Sequence, residues 1–118
     1  MPQKNEILFR RARYSLKGFA TAWKGERAFR QQMTFTAAAL LIVALIAPAP
    51  AWWAIIVLAL SGAAAMELMN AAVEAVCDRM HPELHPLIGA AKDLASAAVF
   101  AMNTAVTVVI ALLVVSEF

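Results

Sequence analysis

The sequence predicts an all-α membrane protein: a helical bundle of three membrane-crossing helices, preceded by an amphipathic helix lying on the membrane surface. Three observations carry the prediction. No charged residue occurs between Gln31 and Met66. Eight of the ten Lys/Arg residues (Lys4, Arg10, Arg11, Arg13, Lys17, Lys24, Arg27 and Arg30) precede Met33. The chain is 63% hydrophobic and 15% charged, with a mean hydropathy of +0.71, outside the balance of a soluble domain. At 118 residues it reads as a single domain, 1–118. A nucleic-acid-binding protein also clusters its basic residues, but does not follow them with a long apolar tract. Cys77 is the one cysteine, which excludes an intramolecular disulfide and any cysteine metal framework.

Residues 5–25 carry a helical repeat in which Ile7, Leu8, Phe9, Ala12, Leu16, Phe19 and Trp23 form an apolar stripe opposite Arg and Lys. The segment is too charged to span a bilayer, and its basic side suits anionic lipid heads. A transit peptide shares this composition. Gly18 and Gly25 are candidate breaks. Glu26 then stands at the interface, either as a site carboxylate or as a helix-start charge favoured by the macrodipole.

The first span covers 29–47 and is closed by Pro48-Ala-Pro50, because proline removes a donor and restricts its predecessor. Ala47-Pro-Ala49 has the form of a signal-peptidase site. The charged region before it is too long for a signal sequence, and cleavage is not expected. The second span, 51–78, opens on an interfacial Trp52-Trp53 pair and passes through Ser61, Gly62 and Ala63 to Ala65, small residues that allow close helix approach. Residues 79–90 read as a polar loop. His81 and His85 are spaced for zinc only on a continuous helix, which Pro82 and Pro86 oppose. The third span is 92–116. Its face of Ala91, Ala95, Ala98, Met102 and Ala105 reads as helix packing.

The most informative stretch lies at the end of the second span. Glu67, Asn70, Glu74 and Asp78 fall on one helical face, each about a turn beyond the last. A carboxylate at membrane depth is costly unless it has a purpose. Three spans put the basic amino terminus and the 79–92 connection on one side, which the positive-inside rule makes cytoplasmic. Glu26, Glu67, Glu74, Asp78, Glu83, Lys92 and Asp93 then gather at that interface, leaving only Glu6 and Glu117 elsewhere among the acidic residues. Carboxylates hold Mg²⁺ weakly unless phosphates complete its shell. Two glutamates from different helices suit a Mg-nucleotide, Lys92 suits its phosphates, and a deeper, desolvated glutamate suits a general base toward a lipid alcohol. Phosphoryl transfer asks mainly for positioning and charge neutralisation.

These residues carry a resemblance. Glu67-x-x-Asn70-x-x-x-Glu74-Ala-Val-x-Asp78-Arg79, followed by Glu83-x-His85 and Ala91-Lys92-Asp93, resembles the prokaryotic integral-membrane diacylglycerol kinase family, whose relative undecaprenol kinase shares the core. Tyr14-Ser-x-Lys17-Gly18 and Glu26-x-Ala28-Phe29-Arg30-Gln31 extend it over nearly the whole chain. The resemblance implies a homotrimer in the bacterial cytoplasmic (inner) membrane, with sites between subunits. It implies transfer of the ATP γ-phosphate to diacylglycerol, giving phosphatidic acid, with Mg²⁺ as cofactor and no nucleic-acid partner. Position by position it implies Glu67 as catalytic base, and Glu26 and Glu74 as metal and nucleotide carboxylates. Asn70, Tyr14, Glu83, His85, Lys92 and Asp93 correspond to nucleotide contacts. Trp23, Phe29, Arg30, Gln31 and Ser96, with Glu67, correspond to the lipid side.

Two positions depart from the family pattern. Gln32 stands where relatives can carry an acidic residue, and Ile7 where an arginine can occur; Arg10 or Arg11 is placed to take over the latter role. Pro82 and Pro86 resemble the undecaprenol branch, so undecaprenol stays open as the acceptor. A small ion-coupled transporter would instead need polar groups through the full membrane depth.

Overall fold

A computed structural model describes residues 4–80 and 85–118. It contains four helices: α1 (Lys4–Gly25), α2 (Arg27–Ile46), α3 (Pro50–Met80) and α4 (Pro86–Glu117). The described residues contain no strand. The last three helices are long and apolar enough to cross a membrane, and the chain is an all-α membrane protein. His81 and Glu83, and with them the histidine pair, lie outside the described residues.

α1 and α2 are separated by Glu26 alone. Gly18 does not interrupt α1, whereas Gly25 ends it. Four contacts build the elbow. The Glu26 N–H donates to the Ala22 carbonyl at 2.9 Å. The Arg30 guanidinium donates to the carbonyls of Trp23 (2.7 Å) and Lys24 (3.3 Å), meeting acceptors that the end of α1 leaves open. The rings of Phe19 and Phe29 pack at 6.4 Å, tilted by 42°, and Phe29 is buried.

α2 ends at Ile46, and Ala47 takes a left-handed conformation (φ 53°) with its N–H on the Val43 carbonyl at 2.9 Å. A Cβ is unfavourable in that region, and glycine has none. Ala47→Gly is therefore expected to stabilise the fold by about 0.5–1 kcal/mol, read as a rise in the detergent melting temperature. Pro50 opens α3 at a position where its missing N–H costs nothing.

α3 and α4 make the most extensive pairing, with α2 laid against α3. The core joins Ala39 and Val43 of α2, Ile56, Leu60 and Ala63 of α3, and Val106 and Leu113 of α4. Gly62 leaves room for the end of the Met102 side chain of α4, which a Cβ there would run into. The packed face of α4 runs through Ala91, Ala95, Ala98 and Met102 as expected, then continues through Val106. Ala105, expected on that face, is exposed. The stripe drifts because a helical turn is longer than 3.5 residues.

The expected polar loop over 79–90 is shorter than its composition indicated. α3 runs on through Met80, and α4 starts at Pro86 rather than at Lys92. The reason is local. Pro86 occupies the first turn of α4, where proline is tolerated, and the His85 Nδ1 accepts the Leu87 N–H at 3.1 Å as an N-cap.

With 31 residues, α3 is about 46 Å long, against an apolar bilayer core of about 30 Å. Glu67 stands roughly 26 Å along the axis from Pro50, near the far edge of the hydrocarbon. Asn70, Glu74 and Asp78 lead outward from there. α4 has the highest hydropathy of the three spans yet the smallest buried share, 11%. Such a helix is stable where lipid or another apolar surface surrounds it.

Candidate active site

The stripe on α3 is graded by burial. Glu67 is only 7% exposed, Asn70 and Glu74 are half-buried, and Asp78 is exposed. Glu67 is held in place because α2 and α4 cover its face of the helix. It lines a cavity of about 470 Å³ together with Ala28, Gln31, Gln32 and Phe35 of α2, and Asn103 and Thr107 of α4. No hydrogen bond or ion pair among the described residues engages its carboxylate. A buried carboxylate with unclaimed lone pairs beside a polar cavity is placed to accept a proton from whatever enters.

Two further carboxylates act on Glu67 through their charge: Glu74 from the next turns of α3, and Glu26 from the α1–α2 elbow. Glu26 occupies the N-cap position of α2, but its side chain makes no capping hydrogen bond. Its carboxylate is thus not consumed in starting the helix. The Asn70 amide donates to Glu74 Oε1 at 3.4 Å and orients it. Farther out, Lys92 of α4 pairs with Asp78 of α3 at 2.5 Å and lies within the field of Glu74. A cation therefore stands beside the outer end of the carboxylate row.

Not every expected residue joins this group. Tyr14 is exposed on α1, and Asp93 and Ser96 are exposed on α4. Trp23 is half-exposed at the elbow, while Phe29 and Arg30 are engaged in building it. Gln31 lines the Glu67 cavity. His85 caps α4. Among the described residues no group of three or more His, Cys, Asp or Glu forms a metal cage.

Sequence reasoning missed one pair. Asn103 donates to Gln32 Oε1 at 3.0 Å, tying α4 to α2 at the cavity. In the sequence Gln32 stands out only as a departure from a family pattern, and no periodic pattern marks Asn103. The available signal was an amide within an apolar span, since such groups face the bundle interior.

The residues of this site lie within the region, 13–115, that matches the family model for prokaryotic diacylglycerol kinase. The chain belongs to the prokaryotic diacylglycerol kinase family. It is 39% identical to a diacylglycerol kinase of Pseudomonas aeruginosa over 95 residues, covering 80% of this chain and 77% of that relative. It is 36% identical over 92 residues to a diacylglycerol kinase of Escherichia coli, covering 78% and 75%. A diacylglycerol kinase of Haemophilus influenzae is 34% identical over 93 residues, covering 79% of each. In this member of the diacylglycerol kinase family, the matched region includes the α1–α2 elbow, the whole carboxylate row and the cavity residues.

Proposed function

We propose that this chain transfers the γ-phosphate of ATP to the primary hydroxyl of diacylglycerol, giving phosphatidic acid and ADP. The observation that carries the reading is Glu67, buried at the wall of a polar cavity with no hydrogen-bond or ion-pair partner among the described residues, and flanked by Glu26 and Glu74. In the proposed step Glu67 removes the hydroxyl proton as the lipid oxygen attacks the γ-phosphorus. The bond between the γ-phosphorus and the β–γ bridging oxygen breaks, and that oxygen leaves with the electron pair as part of ADP.

The donor set fits Mg²⁺ delivered with a nucleotide. Two carboxylates from different elements, Glu26 and Glu74, are what such an ion takes when phosphate oxygens supply the remainder of its shell. Once bound, the ion neutralises phosphate charge. Asn70 orients Glu74, and Lys92 offers a cation to the phosphates. Tyr14, Glu83, His85 and Asp93 complete the nucleotide side, and Trp23, Phe29, Arg30, Gln31 and Ser96 the lipid side. We place the amino terminus and this site on the cytoplasmic face of a bacterial inner membrane, because the basic residues crowd there.

We also propose a homotrimer with sites shared between subunits. Tyr14, Asp93 and Ser96 are exposed and do not line their own chain's Glu67 cavity, which suits a contribution to a site on a neighbouring copy. Mixing inactive Glu67→Gln and inactive Asp93→Asn chains is expected to restore part of the activity that neither has alone. Mixed assemblies that stay inactive would count against shared sites.

The test of the reaction is transfer from γ-labelled ATP in Mg²⁺-containing micelles, with diacylglycerol and undecaprenol offered side by side. Label on diacylglycerol is expected. Label on undecaprenol alone would move the protein to the other acceptor, and label on neither would refute the kinase reading.

A further inference from the structure

The cavity beside Glu67 contains an arrangement that proton transfer does not use. Gln32 is 7% exposed, and its Oε1 is taken by the Asn103 amide at 3.0 Å. Gln32 Nε2 and Asn103 Oδ1 are buried with no hydrogen-bond partner among the described residues. Both residues line the same cavity as Glu67. An amide donor left unmet inside an apolar bundle is costly, because neither lipid chains nor neighbouring helices replace its lost water. Thr107, on the same wall, already spends its hydroxyl proton on the Asn103 carbonyl.

The direction of the Gln32–Asn103 bond has a chemical consequence. Because the Gln32 oxygen is committed to Asn103, the group Gln32 has left to offer is an N–H. A site for a lipid alcohol then presents two different functions. Glu67 accepts from the reacting hydroxyl, whose own lone pair is needed for attack on phosphorus, and Gln32 donates to a second acceptor oxygen. Diacylglycerol has that pair of groups close together, a free hydroxyl and neighbouring ester carbonyls. A prenyl alcohol has only the hydroxyl, and a dialkyl ether of glycerol replaces the carbonyls with weaker acceptors.

We propose that Gln32 is a specificity-determining residue that donates to an ester carbonyl of the acceptor lipid, and that Asn103 is the positioning residue that fixes its amide for that role. This rests on the lipid-kinase reading above. The competing account is a purely structural tie between α2 and α4, which would be indifferent to the acceptor's carbonyl.

The test compares a diacylglycerol with the dialkyl ether of the same chain length, as acceptors for the full-length protein in mixed micelles. The wild type is expected to favour the ester by about tenfold in kcat/KM, mainly through KM, as one neutral hydrogen bond to a substrate allows. Gln32→Met, which keeps the length and removes the amide, and Asn103→Leu should each bring that ratio close to one. Variants that lose activity toward both lipids in equal proportion would overturn the proposal in favour of a structural tie. If either variant folds poorly, the wild-type ratio decides: equal use of ester and ether overturns the proposal. A wild type that phosphorylates neither lipid would instead refute the kinase reading itself.

Discussion

Glu67→Gln is expected to lower kcat for lipid phosphorylation by about 10²–10⁴-fold, the usual contribution of a positioned general base. The variant should still fold. Glu67 makes no hydrogen bond or ion pair among the described residues, so the substitution removes no tie between helices. It also replaces a charge buried at the edge of the hydrocarbon with a neutral group of the same shape, which relieves a desolvation cost. The detergent melting temperature is therefore expected to stay level or rise while activity collapses. A loss of both together would mean that Glu67 serves the fold.

The second large effect is expected at Glu26 and Glu74. Removing either carboxylate, as Glu26→Gln or Glu74→Gln, should raise the Mg²⁺ concentration needed for half-maximal activity, with the KM for ATP rising in parallel. Asn70→Leu acts one step removed, through the 3.4 Å hydrogen bond that orients Glu74. Losing an outer-shell partner of this kind typically costs about 10–100-fold in metal affinity, and the two ligand substitutions should exceed that. A Mg²⁺ titration of the three variants checks the order. If Asn70→Leu proves more damaging than Glu74→Gln, Asn70 acts on the nucleotide in its own right.

What the sequence made legible is what a periodic pattern can carry. Charge-free runs mark the spans, Pro48 and Pro50 mark their turn, and the 67–70–74–78 spacing marks a polar face at the end of α3. The start of α4 was less legible because proline is ambiguous. Inside a helix Pro86 would break it, but with His85 capping ahead of it the same residue begins one. The elbow was hidden for a different reason. Arg30 and Phe29 are engaged by Trp23, Lys24 and Phe19 across a bend whose angle no spacing rule reports. The Gln32–Asn103 contact joins residues 71 positions apart, and each helix contributes only one of them. A single amide per helix has no period, so only the packed bundle brings the pair together.

In the proposed mechanism Glu67 acts after both substrates are bound, and single-turnover phosphorylation of diacylglycerol from prebound Mg-ATP tests this most directly. Wild type and Glu67→Gln would be compared, with nucleotide affinity measured on the same samples. The predicted result is ATP binding close to wild type in the variant, with a transfer rate lower by orders of magnitude. A variant that transfers phosphate at the wild-type rate would contradict the assignment of Glu67 as the base. So would one whose slow transfer is fully explained by lost ATP binding.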